Sequence, residues 1–225
     1  MSTTAAGAQD AWDALDAPWR AALEEAWASW QTGSLGIGAV IVDGDGAIVS
    51  RGRNRIVDTR TEPGVLAATI VAHAEMNALA TLRVGPVDDL TLYTTLEPCL
   101  MCAGSIVFVR IPRVRFAAPD PFFEELDAVL RQHPFAAERM PVREGPLLGE
   151  IATFAQVLPL TVILFWNPDG EAPRFYRDLI PEHMAVAEEL VAAQHLAAVA
   201  SRGGTVLDAI EAVWPQLRRI EGARD

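Results

Sequence analysis

The feature that most constrains this chain is a pair of short segments, His73-Ala74-Glu75 and residues 98–102, which read Pro-Cys-Leu-Met-Cys. Both cysteines of the chain, Cys99 and Cys102, fall in the second segment. One imidazole and two thiolates suit a four-coordinate zinc ion whose last position stays open, as in catalytic zinc sites. Glu75 follows the histidine by two residues, where its carboxylate can move protons without being a ligand. The pattern therefore predicts a catalytic zinc site with His73, Cys99 and Cys102 as ligands and Glu75 as the acid/base.

Each segment taken alone has other interpretations. A lone histidine is more often a core or surface residue than a metal ligand. A lone CxxC near a β-α-β pattern can be a redox pair or half of a structural zinc site. The sequence has no second CxxC to complete a four-cysteine site, and the redox interpretation leaves His73 and Glu75 without a role. The conjunction of the two segments therefore favours a zinc ion.

The spacing of the cysteines agrees with this interpretation. Cys99 and Cys102 are three residues apart in the first turn of a predicted helix, so their thiols point the same way. The helix N-terminus stabilises thiolates, and Pro98 loses no hydrogen bond there. A zinc ion in such a site provides a nucleophilic water at neutral pH. Glu75 is then placed to take a proton from that water and deliver it to a substrate.

The hydrophobic pattern predicts an α/β fold around these segments. A β-hairpin followed by alternating helices and strands indicates a three-layer α/β/α sandwich with a C-terminal helical extension. We divide the chain into a domain at 1–158 and an extension at 159–225 packed on it. Strands are predicted at 37–42, 47–52, 90–95, 113–117 and 140–143. Helices are predicted at 18–31, 65–82 (with the His73 triplet inside), 99–109, 122–132, 146–158, from 181 onward and at 205–219.

Composition bears on partners and location. The net charge is -12 and every basic residue is an arginine, whereas nucleic-acid binding usually needs a clustered basic face. These features argue against a nucleic-acid partner and favour a small molecule. Cysteines at CxxC spacing suit a reducing compartment, and residues 1–12 do not read as a secretory signal. The longest apolar stretch, 157–166, is too short to cross a membrane. We therefore expect a cytoplasmic protein with no membrane partner.

The same motifs resemble a known family. H-x-E followed by P-C-x-x-C is the signature of the zinc deaminases, and about residues 18–158 are similar to the cytidine deaminase-like superfamily. The nearest branch contains tRNA adenosine deaminases, guanine deaminases and cytosine deaminases. The best-known substrate of that branch is adenosine at a tRNA wobble position. The stretches that carry the resemblance are 36–42, 52–55, 73–79, 92–105 and 110–116, with a weaker match around 144–150.

The resemblance implies a fold, a cofactor and site residues. It implies a cytidine deaminase-like sandwich that binds Zn²⁺ through His73, Cys99 and Cys102, with Glu75 as the proton shuttle. It also implies that Asn54 contacts the substrate, that the backbone N–H of Ala74 or Glu75 meets a ring atom, and that the protein is a homodimer.

Three regions depart from the family pattern. The approach to His73, residues 65–72, is apolar and longer, so the family's substrate cannot be carried over. In the loop at 117–123, Asp120 can hydrogen-bond to a base and Phe123 can stack on it; a surface turn with buried rings is the alternative. Residues 159–225 either cover the pocket or a subunit interface, or pack on the domain for stability.

These observations predict a zinc-dependent hydrolytic deaminase of a free nucleobase or nucleoside, which converts a ring C–NH2 to C=O and releases ammonia. The alternatives are a tRNA-specific adenosine deaminase, and a non-catalytic zinc-containing relative that acts through a partner protein. The intact Glu75 disfavours the last, since a structural zinc site needs no such carboxylate.

Overall fold

The centre of the molecule is a mixed β-sheet, seen in a computed structural model that describes residues 7–59 and 62–222. Its strands are β1 (Gly38–Val42), β2 (Ile48–Arg53), β3 (Thr91–Leu96), β4 (Arg113–Ala118) and β5 (Val142–Glu144). They lie in the order β2-β1-β3-β4-β5. β1 is antiparallel to both β2 and β3, and the β3–β4 and β4–β5 pairs are parallel. A hairpin thus leads into a parallel half, as the sequence predicts.

Helices cover both faces of this sheet. The helices are α1 (Ala8–Asp13), α2 (Ala17–Gln31), α3 (Ala74–Thr81), α4 (Leu100–Val109), α5 (Leu126–Leu130), α6 (Pro134–Ala137), α7 (Glu150–Trp166), α8 (Glu171–Leu179), α9 (Pro181–Ala193), α10 (His195–Ser201) and α11 (Val206–Gly222). One core joins the sheet to α2 and α7 and continues outward into α9 and α11. A second core joins the opposite face to α3 and α4.

Strand β1 shows why the sheet must be covered on both sides. All five of its residues are buried. Val40 and Val42 belong to the core on the α2/α7 side, whereas Ala39 and Ile41 belong to the core on the α3/α4 side. Alternate side chains of a strand point to opposite faces, so an apolar strand of this kind needs a helix layer on each. The predicted three-layer α/β/α sandwich is confirmed.

Two glycines let helices lie directly against the sheet. A Cβ atom at Gly38 would sit 2.1 Å from the carbonyl oxygen of Ala22 in α2. A Cβ atom at Gly52 would sit 2.2 Å from the carbonyl oxygen of Ala74, the first residue of α3. Neither backbone atom can move without displacing its helix. The position of α3, which holds part of the candidate site, therefore depends on the missing side chain at Gly52.

Gly52→Ala is expected to lower the free energy of unfolding by about 3 kcal/mol, at the upper end of overpacking effects. The added methyl group must push α3 away from β2, because the nearest atoms are helix backbone. Urea unfolding followed by circular dichroism measures the change. The matched control is Gly104→Ala in α4, where a Cβ atom meets nothing within 4 Å. Equal stability of the two variants would contradict this packing.

The predicted helix at 65–82 is wrong in its first half, since α3 begins at Ala74, immediately after His73. The preceding segment makes tertiary hydrogen bonds instead of helical ones. The Asn77 side chain bonds to both the N–H and the C=O of Leu66. The Ala72 carbonyl accepts from the N–H of Arg55 at 2.8 Å, and Ala68 has a left-handed φ of 52°. These contacts place His73 at the start of the helix, not inside it.

Other boundaries differ from the pattern-based ones. The predicted helix at 122–132 is a 3-10 turn at Pro121–Phe123 followed by the short α5. The helix predicted to end at Leu158 runs on to Trp166, with Pro159 buried inside it. The predicted domain boundary after Leu158 therefore lies within α7. The division into 1–158 and 159–225 stays a prediction. Residues 1–6 and 223–225 at its two ends lie outside the described ranges. Residues 1–6 of the segment inspected for a secretory signal also lie outside them. Among the described residues, no helix combines the length and hydropathy needed to cross a membrane.

Candidate active site

The three predicted zinc ligands converge where two helices begin. His73 and Cys99 are the extended residues immediately before α3 and α4, and Cys102 is the third residue of α4. The Nδ1 atom of His73 lies 3.6 Å from the Sγ atom of Cys99 and 3.5 Å from that of Cys102. The three potential ligand atoms all lie within 4.8 Å of one another. One nitrogen and two sulfurs at this separation fit a tetrahedral zinc ion with one open position.

The electrostatics of the two thiols suit a cation. The hydrogen bond with Cys102 lowers the pKa of Cys99 to about 4, with a further contribution from His73. The same hydrogen bond, together with burial, raises the pKa of Cys102. Burial acts to lower the pKa of His73, but the hydrogen bond with Cys99 and the nearby Glu75 raise it overall. The lowered pKa of Cys99 favours its thiolate form, and zinc binding displaces the protons that the ligands still carry.

Glu75 is the buried carboxylate beside this cluster. Its side chain is almost enclosed, with the residue 3% exposed. The Thr94 hydroxyl donates to Oε1 at 3.1 Å, and Oε2 lies 3.4 Å from the Sγ atom of Cys102. Burial raises the pKa of Glu75, against the opposing effect of His73. A carboxylate with a raised pKa is suited to exchanging protons near neutral pH.

A cavity of about 230 Å³ opens onto these residues. His73, Glu75 and Cys99 form its polar end, and apolar side chains form most of the remaining wall. Asp120 and Phe123 also line it, as members of the loop after β4. A concave, mostly apolar pocket with a few converging polar groups is the usual form of a small-molecule or base-binding site.

Asp120 is the second buried carboxylate of the cavity. Its Oδ1 atom accepts hydrogen bonds from the N–H of Phe122 at 3.0 Å and from the hydroxyl of Tyr176 at 3.1 Å. Burial raises the pKa of Asp120 to about 6, against the lowering effect of these two donors. The position of Asp120 is therefore compatible with a loop at 117–123 that recognises a base. The contact between Asp120 and a base stays a prediction.

The other two predicted substrate contacts lie beside the cavity and not among its lining residues. Ala74 is buried between His73 and Glu75 at the start of α3, where the first N–H groups of a helix have no intrahelical partner. Asn54 follows β2 and is 0% exposed; its N–H donates to the carbonyl of Ile37, which does line the cavity. The Nδ2 atom of Asn54 has no hydrogen-bond partner among the described residues.

Three polar residues that the sequence analysis did not single out also line the cavity: Glu97, Gln156 and Tyr176. Glu97 precedes the Pro-Cys pair, so its proximity to Cys99 was the one signal available. Gln156 and Tyr176 come from α7 and α8, and no motif marks them. The C-terminal segment thus covers part of the cavity, in addition to packing on the domain.

The part of the chain that contains the predicted zinc ligands also matches known proteins. Residues 15–118 match the model of the cytidine and deoxycytidylate deaminase zinc-binding region. The tRNA-specific adenosine deaminase of Streptococcus pyogenes serotype M1 is 30% identical over 167 residues, which cover 72% of this chain and 88% of that protein. The tRNA-specific adenosine deaminase of Bacillus subtilis is 40% identical over 108 residues, covering 44% and 59%. The X-ray structure of guanine deaminase from Bacillus subtilis aligns at a TM-score of 0.41 and 27% identity, covering 70% and 97%.

The prediction against a nucleic-acid partner is wrong, because the Streptococcus pyogenes relative, which is 30% identical and matched over 88% of its length, is a tRNA-specific adenosine deaminase. Net charge is a sum over the whole surface, whereas phosphate contacts depend on the groups around one site. The total of -12 therefore does not exclude an RNA ligand.

The comparisons and the site agree on the cofactor. The family match includes His73, Cys99 and Cys102, which the structure positions as ligands of a zinc ion. The chain belongs to the zinc-binding family of cytidine and deoxycytidylate deaminases and is a deaminase of that superfamily.

Proposed function

We propose that this protein is a zinc-dependent hydrolytic deaminase that converts adenosine in a tRNA to inosine. The observation that supports the substrate most is the similarity to the Streptococcus pyogenes enzyme over 88% of its length. The earlier prediction of a free nucleobase or nucleoside has no comparable support. The reaction replaces the ring amino group by a carbonyl oxygen from water and releases ammonia.

In the proposed reaction, three residues bind zinc and a fourth, Glu75, transfers protons. When bound by His73, Cys99 and Cys102, zinc acts as a Lewis acid that activates water as the nucleophile. Glu75 takes one proton from the attacking water and delivers it to the ring nitrogen. It then takes the remaining proton of the added hydroxyl and delivers it to the amino group, so that the ring carbonyl forms and ammonia leaves. Its buried position excludes bulk water, and the Thr94 hydroxyl fixes its orientation. Such a positioned acid/base typically contributes about 10²- to 10⁴-fold in rate.

Four residues are proposed to hold the base. Asn54 offers a buried amide N–H without a partner among the described residues, a state that costs about 1–3 kcal/mol unless a ligand satisfies it. The backbone N–H of Ala74 lies at a helix N-terminus that favours an electron-rich ring atom. Asp120 and Phe123 both line the cavity, and we propose that the Asp120 carboxylate hydrogen-bonds to the base and that the Phe123 ring stacks on it.

Thr94→Val is expected to lower kcat about tenfold, since removing a group that orients a catalytic residue typically costs 10- to 100-fold. The change keeps the size of the side chain and removes the donor to Glu75. Zinc content measured by atomic absorption should not change. Thr91→Val in the same strand, which makes no contact with Glu75 among the hydrogen bonds of the described residues, is the control. Equal turnover in both variants would remove Thr94 from the site.

The substrate is tested with transcribed tRNA that carries adenosine at the wobble position. Inosine is quantified by nuclease digestion and chromatography, at several salt concentrations and beside a panel of free adenosine, guanine and cytosine. We expect inosine in the tRNA, with an affinity that falls as salt rises. Turnover of a free base or nucleoside while the tRNA stays unchanged would overturn the proposed substrate.

The predicted homodimer and the cytoplasmic location stay predictions. Two exposed apolar side chains on α4, Leu100 and Phe108, the latter 74% exposed, support self-association through that helix. Light scattering coupled to gel filtration measures the mass directly.

A further inference from the structure

Helix α8 brings a tyrosine from the C-terminal segment to the candidate site. The family match ends at residue 118, and Tyr176 lies well beyond it. Tyr176 is nevertheless 8% exposed and lines the same cavity as His73 and Glu75. Its hydroxyl donates to the Oδ1 atom of Asp120 at 3.1 Å. A buried hydroxyl is costly unless it is paired, so this hydrogen bond fixes both side chains.

Among the described residues, only one oxygen of the Asp120 carboxylate accepts hydrogen bonds. Its Oδ1 atom takes both donors, the Phe122 N–H and the Tyr176 hydroxyl. Its Oδ2 atom accepts no hydrogen bond from the described residues, although the residue is 6% exposed and lines the cavity. An acceptor without a partner among the described residues, on a residue that lines the cavity, is available to a donor group of a ligand.

Helix α8 is fixed at two residues, which makes Tyr176 a rigid support. The Phe175 ring packs on Phe122 of the loop after β4, with centroids 3.8 Å apart. The Arg177 guanidinium donates to Glu188 of α9 at 2.8 Å and to the Pro168 carbonyl at 3.1 Å. The tyrosine therefore cannot follow Asp120 if that carboxylate rotates, and it limits such rotation.

We propose that Tyr176 is a positioning residue: its hydroxyl holds one oxygen of Asp120 so that the other faces a hydrogen-bond donor of the bound nucleotide. The C-terminal segment is then part of the substrate site of this chain. The inference rests on the proposed function for the identity of the nucleotide, but not for the contact between Tyr176 and Asp120. A small misplacement of a binding group is enough to lower its contribution strongly.

The two tyrosines of the chain provide a matched pair of variants. Tyr176→Phe removes the donor to Asp120, whereas Tyr93→Phe removes a hydroxyl that accepts from Arg115 at 3.0 Å, away from the cavity. We expect Tyr176→Phe to raise KM about tenfold with kcat within about twofold, as for loss of a hydrogen bond to a charged group. Zinc content and melting temperature should match those of Tyr93→Phe. In an Asp120→Asn background, Tyr176→Phe should have no further effect on KM.

Equal kinetics of the two tyrosine variants would overturn the positioning role, and so would an unchanged effect in the Asp120→Asn background. If wild-type protein deaminates a free nucleoside and not tRNA, the proposed substrate fails, and the same comparison is made on that nucleoside. The two failures are thus distinguished.

A measurement without substrate tests the contact itself. Titratable groups facing Asp120 are Glu97, Cys99 and Tyr176. Because the Tyr176 hydrogen bond lowers the pKa of Asp120, Tyr176→Phe should raise the pKa of Asp120 relative to wild type, and Tyr93→Phe should not. Carboxyl-carbon NMR of zinc-loaded protein follows this titration, with Asp120→Asn identifying the signal. Identical titration of Asp120 in wild type and Tyr176→Phe would overturn the inference whatever the substrate is.

Discussion

Glu75→Gln is expected to reduce turnover by about 10³-fold, within the range for loss of a positioned acid/base. Glutamine has the same shape and can still accept the hydrogen bond from Thr94, but its amide cannot carry a proton between water and the ring. Zinc content should stay at one ion per chain, because Glu75 is not part of the ligand set. Turnover is measured as inosine formed in tRNA, and zinc by atomic absorption.

The control for this change is Glu24→Gln, which alters an exposed carboxylate that contacts Arg51 at the surface. It should leave turnover and zinc content as in the wild type. Full activity of Glu75→Gln would exclude Glu75 as the proton shuttle. Loss of zinc from the same variant would instead show that the carboxylate supports the metal site.

Cys102→Ala is expected to lose zinc and to destabilise the whole protein. Cys102 is fully buried between α4 and the sheet, and metal-binding energy is also folding energy. For structural zinc sites in small peptides that energy is about 10–16 kcal/mol, so a loss of several kcal/mol from the free energy of unfolding is a conservative expectation for a full domain. Urea unfolding and metal analysis measure the two effects together.

Ser105→Ala is the matched control, since Ser105 lies one turn further along α4 and donates to the Met101 carbonyl at 3.0 Å. It should keep its zinc and most of its stability. A Cys102→Ala protein that is stable and carries one zinc ion per chain would contradict the assignment of this ligand. Treatment of wild-type protein with a chelator should reproduce the destabilisation.

The zinc ligands could be predicted because they depend on short spacings. Cys99 and Cys102 share one helical turn, and His73 and Glu75 share another, so local geometry already brings each pair to one side. The exact start of α3 could not be predicted in this way. The apolar residues at 65–72 match a helical pattern, but hydrogen bonds with the Asn77 side chain and the Arg55 backbone hold them in another conformation. Tertiary contacts overrode local propensity there.

The sandwich was predictable for a similar reason, since β1 is apolar on both faces and must be covered twice. The partner was not predictable from composition. A net charge of -12 says nothing of which charges are already paired, and Arg53 and Arg55 both form ion pairs with Asp58. The resemblance of the motifs already offered a tRNA-specific adenosine deaminase as an alternative, and the comparison with a relative over 88% of its length supports it.

The contribution of α8 could not have been predicted at all. Tyr176 and Asp120 are 56 residues apart in the sequence, and neither belongs to a motif that predicts their hydrogen bond. The continuation of α7 through Pro159 is a second case, because a proline after Leu158 usually indicates the end of a helix. Both features depend on how the C-terminal helices pack on the sheet.

The most direct test of the whole account is the reaction of zinc-loaded protein with adenosine-containing tRNA in water enriched in the heavy oxygen isotope. The mass of the modified nucleoside reports whether the new ring oxygen comes from water. The proposed mechanism predicts inosine that carries heavy oxygen, one ammonia released per inosine, and formation of both products about 10³-fold slower with Glu75→Gln. Unchanged adenosine in the tRNA, or a product formed equally well by Glu75→Gln, would contradict it.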